Sequence, residues 1–302
     1  MSHSLPPTID SPAARRWQQS APAASPWLHE EVAKRMQERL QWIVKPPEQW
    51  CDWEAVRGGL EAHELLRQQF AQSVCYVYEP VEARLQLAKE KLGSKWWQPA
   101  RWSGSAPRFE EPADASLDML WSNMLLHNAA DPQALIERWQ RVLRADGYLM
   151  FSCFGPDTVQ QLHRFYSALG WPVPGHSFTD MHDWGDMLVH SGFSEPVMDM
   201  ERITLTFATP ERLLQELREL GRNLHPARFA GLRGRRWKQQ LLDAIERNWP
   251  AKQEDGQLAL SFEIVYGHAY KPQPKVKLEA SSSVSLQDMR TMLNQPRNRG
   301  LR

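Results

Sequence analysis

The sequence predicts an α/β fold built on a mostly parallel sheet, and three observations carry that expectation. Short apolar runs of strand length alternate with amphipathic stretches of helical length from about residue 50 onward, the rhythm of βαβα units. Two of the amphipathic stretches are preceded by a capping side chain followed by proline, which marks a helix start. Of the 302 residues, 42% are hydrophobic and 24% charged, an ordinary globular mix that excludes a wholly disordered or fibrous chain.

Residues 1–25, rich in Pro, Ala and Ser without periodic apolar positions, are expected to form a flexible tail. Val32, Met36, Leu40 and Ile43 recur at spacings of three and four, placing a helix over His29–Ile43 that Pro46 and Pro47 stop. A strand near Trp50–Trp53, a helix over Leu60–Phe70, a strand over Val74–Glu79 and a helix over Val81–Leu92 follow. After the irregular stretch 93–112, Leu117–Ser122 reads as a strand. Asp131 then caps a helix with Pro132 at its first position and Leu135, Trp139, Val142 and Leu143 on its buried face. Ala145-Asp146-Gly147 turns the chain into a buried strand, Tyr148–Cys153. Asp157–Leu169 and Met181–Ser191 read as helices, Val197–Phe207 as strand, and Thr209–Leu220 as a helix capped by Thr209. In a late strand over 257–271, Leu258, Leu260, Phe262, Ile264 and Tyr266 share one face. Gln273–Arg302, with a serine run and few large apolar residues, is expected to be a second flexible tail, which bounds the folded domain at 26–272.

Lys plus Arg and Asp plus Glu both number 36, so no overall field draws the chain to nucleic acid or an anionic membrane. The first cation is Arg15, and no apolar run reaches the length of a signal-peptide core or a membrane span; a cytoplasmic protein is expected. Cys51, Cys75 and Cys153 are scattered, so neither a disulfide framework nor a metal site is expected. His127, His163, His176, His182 and His190 make no metal or nucleophile constellation, and no Gly-x-Ser-x-Gly elbow occurs. Most of the 14 tryptophans read as core fillers.

Several stretches carry a family resemblance. They are Leu117-Asp-Met-Leu-Trp-Ser-Asn123, Asp131-Pro132, Arg141-Val-Leu-Arg144, Gly147-Tyr-Leu-Met-Phe-Ser152 and Gly155-Pro-Asp-Thr158, then Asp180–Leu188 with Ser191-Gly-Phe193, and Phe262–His268. In this order they resemble class I S-adenosylmethionine-dependent methyltransferases, and more narrowly the malonyl-acyl-carrier-protein O-methyltransferases of biotin synthesis. The resemblance covers about residues 26–272. It implies a doubly wound, Rossmann-like, mostly parallel sheet of seven strands with a helical insertion, S-adenosylmethionine as cofactor, and ligands at the carboxyl ends of the strands.

In that class the first strand ends in a Gly-x-Gly-x-Gly loop, because a backbone without Cβ atoms can approach the cofactor and take a strained turn. Here the matching stretch is Asp52-Trp-Glu-Ala-Val-Arg-Gly-Gly59. Glu54 and Val56 stand where the first two glycines belong, and Gly58, with Gly59 beside it, keeps the third. The resemblance places Asp52, Gly58, Gly59, Glu79 and Asn123 at the cofactor: Glu79 would take both ribose hydroxyls on its two oxygens, and Asn123 would border the site.

The segment Arg222–Lys238 holds Arg222, Arg228, Arg233, Arg235, Arg236 and Lys238 and no acidic residue. Such a run fits an acidic partner, acyl carrier protein if the family's substrate class holds, and Arg222 is the candidate clamp for a substrate carboxylate. No catalytic acid or base is singled out, since a carboxylate acceptor is already ionised at neutral pH. The resulting expectation is methyl transfer to the free carboxylate of a malonyl thioester on the carrier protein. The loop departures keep two alternatives: a noncatalytic methyltransferase-fold protein acting through partner contacts, and a different reaction on the same scaffold.

Overall fold

The computed structural model describes residues 9–20, 24–42, 46–93 and 106–274. Strands β1 (Gln49–Trp53), β2 (Val74–Tyr78), β3 (Leu117–Ser122) and β4 (Leu143–Phe154) run parallel. β5 (Ser194–Phe207) and β6 (Leu258–Tyr270) pair antiparallel, and β6 closes on β4, giving the order β2-β1-β3-β4-β6-β5. The seven strands implied by the resemblance are therefore corrected to six among the described residues. In the position beyond β2 stands one residue: Arg108 N–H donates to Cys75 O at 2.9 Å, and Val77 N–H donates to Arg108 O at 2.8 Å. Pro107 and Pro112 bracket that bridge, and a proline brings no N–H to a ladder.

The helices are α1 (Ser11–Ser20), α2 (Trp27–Arg39), the single turn α3 (Ala55–Gly58), α4 (Leu60–Gln69), α5 (Glu82–Leu92), α6 (Pro132–Val142), α7 (Gln160–Ala168), α8 (Met181–His190), α9 (Pro210–Leu220) and α10 (Arg235–Asn248). Both expected caps form: Asp131 Oδ1 accepts Ala134 N–H at 2.9 Å, and Thr209 Oγ1 accepts Arg212 N–H at 3.3 Å. Alternate strand residues feed two cores. Trp50, Met119, Trp121, Met150 and the Leu258–Tyr266 face pack with α2, α4 and α7, whereas Cys51, Trp53, Leu120, Leu149 and Phe151 pack with α6 and α8. A sheet buried on both faces by helices is the doubly wound class.

Two elements escaped the sequence reading. Within the supposed tail 1–25, residues 11–20 are helical, with Ala13, Ala14 and Trp17 buried; their i, i+1, i+4 spacing was masked by the Pro, Ala and Ser around them. The basic stretch enters α10, a helix the sequence reading did not place, which buries Leu241, Leu242, Ala244 and Ile245. β4 also runs straight through Ala145–Gly147 instead of turning there. A left-handed Asp146 (φ 63°) and a register shift against β3 absorb the irregularity. Residues 275–302, most of the second expected tail, lie outside the described residues, as does Ile43.

Candidate donor and acceptor sites

Strand order reverses between β1 and β3, and the loops after β1, β2 and β3 meet at that switch point. The chain leaves β1 through Glu54, held at φ 64°, makes the turn α3, and enters α4 through Gly59 at φ 134°. Glycine at 59 answers both a left-handed backbone and a neighbour: a Cβ there would lie 2.8 Å from Glu30 Oε2. Glu30, from α2, accepts the Leu60 N–H at 2.9 Å and the Ala62 N–H at 3.3 Å. An internal carboxylate thus caps the helix terminus that in this class faces the ligand.

Glu79 stands just past β2, where the sequence placed it, but its side chain has 0% exposure. Oε1 accepts Val56 N–H at 2.8 Å, and Oε2 accepts Arg84 Nε at 3.1 Å. Arg84 Nη2 donates to Glu54 Oε2 at 3.1 Å, and its Nη1 donates to the Gln18 carbonyl of α1. Gln18 Nε2 in turn donates to Glu54 Oε1 at 3.2 Å. Arg57 is buried beside them; desolvation lowers its pKa to about 10 although Glu54's charge opposes the shift. Two carboxylates and two guanidiniums close on one another at the place where the cofactor was expected.

Burial, followed by the charge of Glu54, pushes the Glu79 pKa up to about 7, against the pull of Val56 N–H and Arg84. A raised carboxyl pKa means that the folded chain binds the proton more tightly than the unfolded one. The resulting stabilisation is full below the free value of 4.5 and is lost as pH rises toward about 7. Thermal denaturation of wild type and Glu79→Gln across that window should show a shallower pH slope for the variant. Parallel slopes would show that Glu79 does not titrate there.

Three other residues that the resemblance places at the cofactor are hydrogen-bonded within the protein. Asp52, 2% exposed, has Oδ2 2.8 Å from Nδ1 of His63 and ties β1 to α4; burial raises its pKa. Asn123, also 2% exposed, donates to His29 O at 2.8 Å and to Gly58 O, and accepts from Ser152 Oγ at 2.6 Å. Gly58 packs against that asparagine, whose amide N–H its carbonyl accepts, and a Cβ there would meet Asn123 O at 3.4 Å, an ordinary contact distance. Asp52, Gly58 and Asn123 are thus structural ties in this arrangement.

Two cavities flank the cluster. One of about 170 Å³ is lined by Gln18, Glu54, Arg57, Tyr78, Asn128 and Arg138 among others. The other, about 370 Å³, lies between α7, α9 and α10; Phe154, Leu162, Trp237 and Phe262 form apolar walls, and Arg218, Arg222, Arg233 and Lys238 also line it. Asn128 lines both. In this arrangement the Glu79 side chain is covered, with Arg84 bonded to it, and the start of α4 is capped by Glu30.

The basic run is only partly free. Arg228 pairs at 2.9 Å with Asp10, an acidic residue from outside the run. Arg222 lines the larger cleft, donates to the carbonyls of Arg218 and Gly221 and lies 4.9 Å from the Trp17 ring centroid. Arg233 stacks 3.9 Å from the Trp237 ring centroid. Arg235, Arg236 and Lys238 are exposed and form no ion pair among the described residues.

The parallel sheet, its switch point and the acidic end of β2 define a class I methyltransferase fold, and the methyltransferase-domain family matches residues 56–151. A malonyl-acyl-carrier-protein O-methyltransferase of Gallionella capsiferriformans is 35% identical over 270 residues, 86% of this chain and 90% of the relative. One from Laribacter hongkongensis is 34% identical over 83% of this chain and 86% of the relative. The chain belongs to the malonyl-acyl-carrier-protein O-methyltransferase family. The fold also matches the crystal structure of the [4+2]-cyclase SpnF, at TM-score 0.50 and 14% identity over 89% of this chain and 99% of that one. No helix among the described residues is long and apolar enough to cross a membrane.

The sequence reading missed Glu30, Arg57, Arg84, Trp17 and Gln18. Arg84 had a legible signal, standing five residues after the expected ribose carboxylate on the helix that follows it. Glu30 had none, because only the tertiary fold brings α2 to the start of α4.

Proposed function

We propose that this chain methylates the free carboxylate of a malonyl thioester carried on acyl carrier protein, with S-adenosylmethionine as donor. The observation that carries the proposal is family membership along nearly the whole length of both chains. Glu79 is covered in this arrangement, so the geometry speaks most directly for the acceptor side. An apolar cleft with cations around it suits a slender uncharged arm ending in anionic groups, and Asn128 marks where that cleft meets the donor-side cavity. The acceptor oxygen is ionised at neutral pH, so placement matters more than proton transfer. Burial lowers the pKa of His127 and brings that of His176 to about 4, so the imidazoles lining the cleft are neutral and add no charge beside the acceptor.

Carrier docking is assigned to the exposed cations Arg235, Arg236 and Lys238, with Arg233 and Arg222 nearer the cleft and Arg228 held back by Asp10. Basic residues in the first turn of α10 oppose the helix dipole, a local cost that an acidic partner relieves. A second reading has its own observation in the fully covered Glu79: a methyltransferase-fold protein that no longer takes the donor and acts through the carrier alone. Incubation with S-adenosylmethionine and malonyl-loaded carrier protein, read by intact mass, should show the carrier gaining one methyl group. Carrier binding without any mass change would favour the second reading.

A further inference from the structure

We propose that α1 and Arg84 form an intramolecular latch, so that α1 docked on Arg84 and a methyl donor seated on Glu79 are mutually exclusive states. The proposal rests on the methyltransferase reading for the identity of the donor. Three features of the chain carry it.

The first is occlusion. A carboxylate offers about four lone-pair sites, and Glu79 uses two, one for Val56 N–H and one for Arg84. The rest suffice for a vicinal diol, but the side chain has 0% exposure, with Arg84, itself held by the Gln18 carbonyl, bonded to it. Arg84 is a long side chain that can swing away, and what fixes it over Glu79 is its bond to the Gln18 carbonyl together with the Glu54 carboxylate, which Gln18 also holds.

The second is that α1 is attached weakly and at separate points. Ala13, Ala14, Trp17 and Leu224 form a small cluster apart from the two large cores. Besides the Gln18 bonds to Glu54 and Arg84, its ties include Asp10 N–H to Leu224 O at 2.9 Å, Asp10 to Arg228, and Trp17 with the guanidiniums of Arg57 and Arg222 each 4.9 Å from its ring centroid. A segment held by few apolar contacts opens without unfolding the domain.

The third is that α1 touches both halves of the site. Gln18 bonds Glu54 and Arg84 on the donor side, while Trp17 and Asp10 engage Arg222 and Arg228 beside the acceptor cleft. Release of α1 therefore uncovers Glu79 and frees Arg222 together.

Only the released fraction binds donor, so apparent affinity is the intrinsic affinity reduced by that fraction. The test uses full-length protein with S-adenosylhomocysteine as probe, read by calorimetry and by amide exchange of residues 11–20. Trp17→Ala should bind the probe roughly tenfold more tightly than wild type, the effect of a latch closed about nine-tenths of the time. Saturating probe should speed exchange across 11–20 in wild type by a similar factor. Binding that leaves this exchange unchanged or slower overturns the latch even where carrier methylation is observed, so its failure is separate from failure of the methyltransferase reading. If wild type, Trp17→Ala and a folded Arg84→Gln all fail to bind the probe, the site is permanently filled, and the latch is overturned along with donor binding.

Discussion

Replacing Glu54 and Val56 together by glycine is expected to raise affinity for S-adenosylhomocysteine about tenfold or more while lowering the melting temperature. The gain in binding comes from Glu54. Its carboxylate holds Arg84 at 3.1 Å and Gln18 at 3.2 Å, and its charge adds to the burial that raises the Glu79 pKa. Without it Arg84 keeps a single carboxylate partner, α1 loses a tie, and the negative charge facing an incoming methionine carboxylate is gone. The stability loss comes from both positions: without Glu54 the buried Arg84 loses one of its two carboxylate partners, and Val56 is fully buried in the larger core. Removing that side chain forfeits roughly 1.5–3 kcal/mol of burial, and the added glycine freedom costs about 0.5–1 kcal/mol more. Relief of the left-handed backbone at Glu54 returns roughly 1 kcal/mol. Binding and stability therefore move in opposite directions, which separates this outcome from general loosening. Calorimetry paired with circular dichroism reads both; equal or weaker affinity in a folded double variant would show that Glu54 and Val56 do not obstruct the donor.

The sheet was legible because each strand announces itself locally. Leu117–Ser122 carries Leu117, Met119, Leu120 and Trp121 and ends at Asn123, and Asp131-Pro132 starts its helix by capping chemistry that needs no tertiary partner. The count of six strands among the described residues was not legible, since residues 106–112 pair beside β2 only at Arg108, which the resemblance alone does not reveal. For the candidate site, the sequence supplied positions but not occupancy. Glu79 lies at the end of β2 as expected, and the odd residues in the loop, Glu54 and Val56, were visible as departures. What covers Glu79 comes from α1 and α5, 61 and 5 residues away along the chain at Gln18 and Arg84. Such a closed charge cluster satisfies no local periodicity and appears only when the fold brings its members together. Asn123 shows the converse: the motif match was local, and the buried bonds to His29, Gly58 and Ser152 are not.

Replacing Arg233, Arg235 and Arg236 together by alanine should slow association with acyl carrier protein and flatten its dependence on salt. Opposite charges steer encounter over distances comparable to the Debye length, about 8–10 Å at ordinary ionic strength. Loss of three cations from one patch should therefore cost about tenfold or more in association rate at low salt and little at high salt. The structure makes the three unequal. Arg235 and Arg236 are exposed in the first turn of α10, which has no acidic residue to balance them, whereas Arg233 is stacked on Trp237 and lines the cleft. Arg235→Ala with Arg236→Ala should carry most of the change in rate, and Arg233→Ala should add mainly to dissociation. Arg222→Ala belongs to a different class. Its guanidinium packs on Trp17 and lines the cleft, so its loss should leave the salt dependence of association intact while weakening retention of the carrier-bound acyl group or its turnover. Stopped-flow association at low and high salt, with malonyl-loaded carrier protein as the ligand, measures these effects separately. Equal rates for wild type and the triple variant at both salt concentrations would reject docking on α10 and leave Arg235 and Arg236 as a solvated helix face.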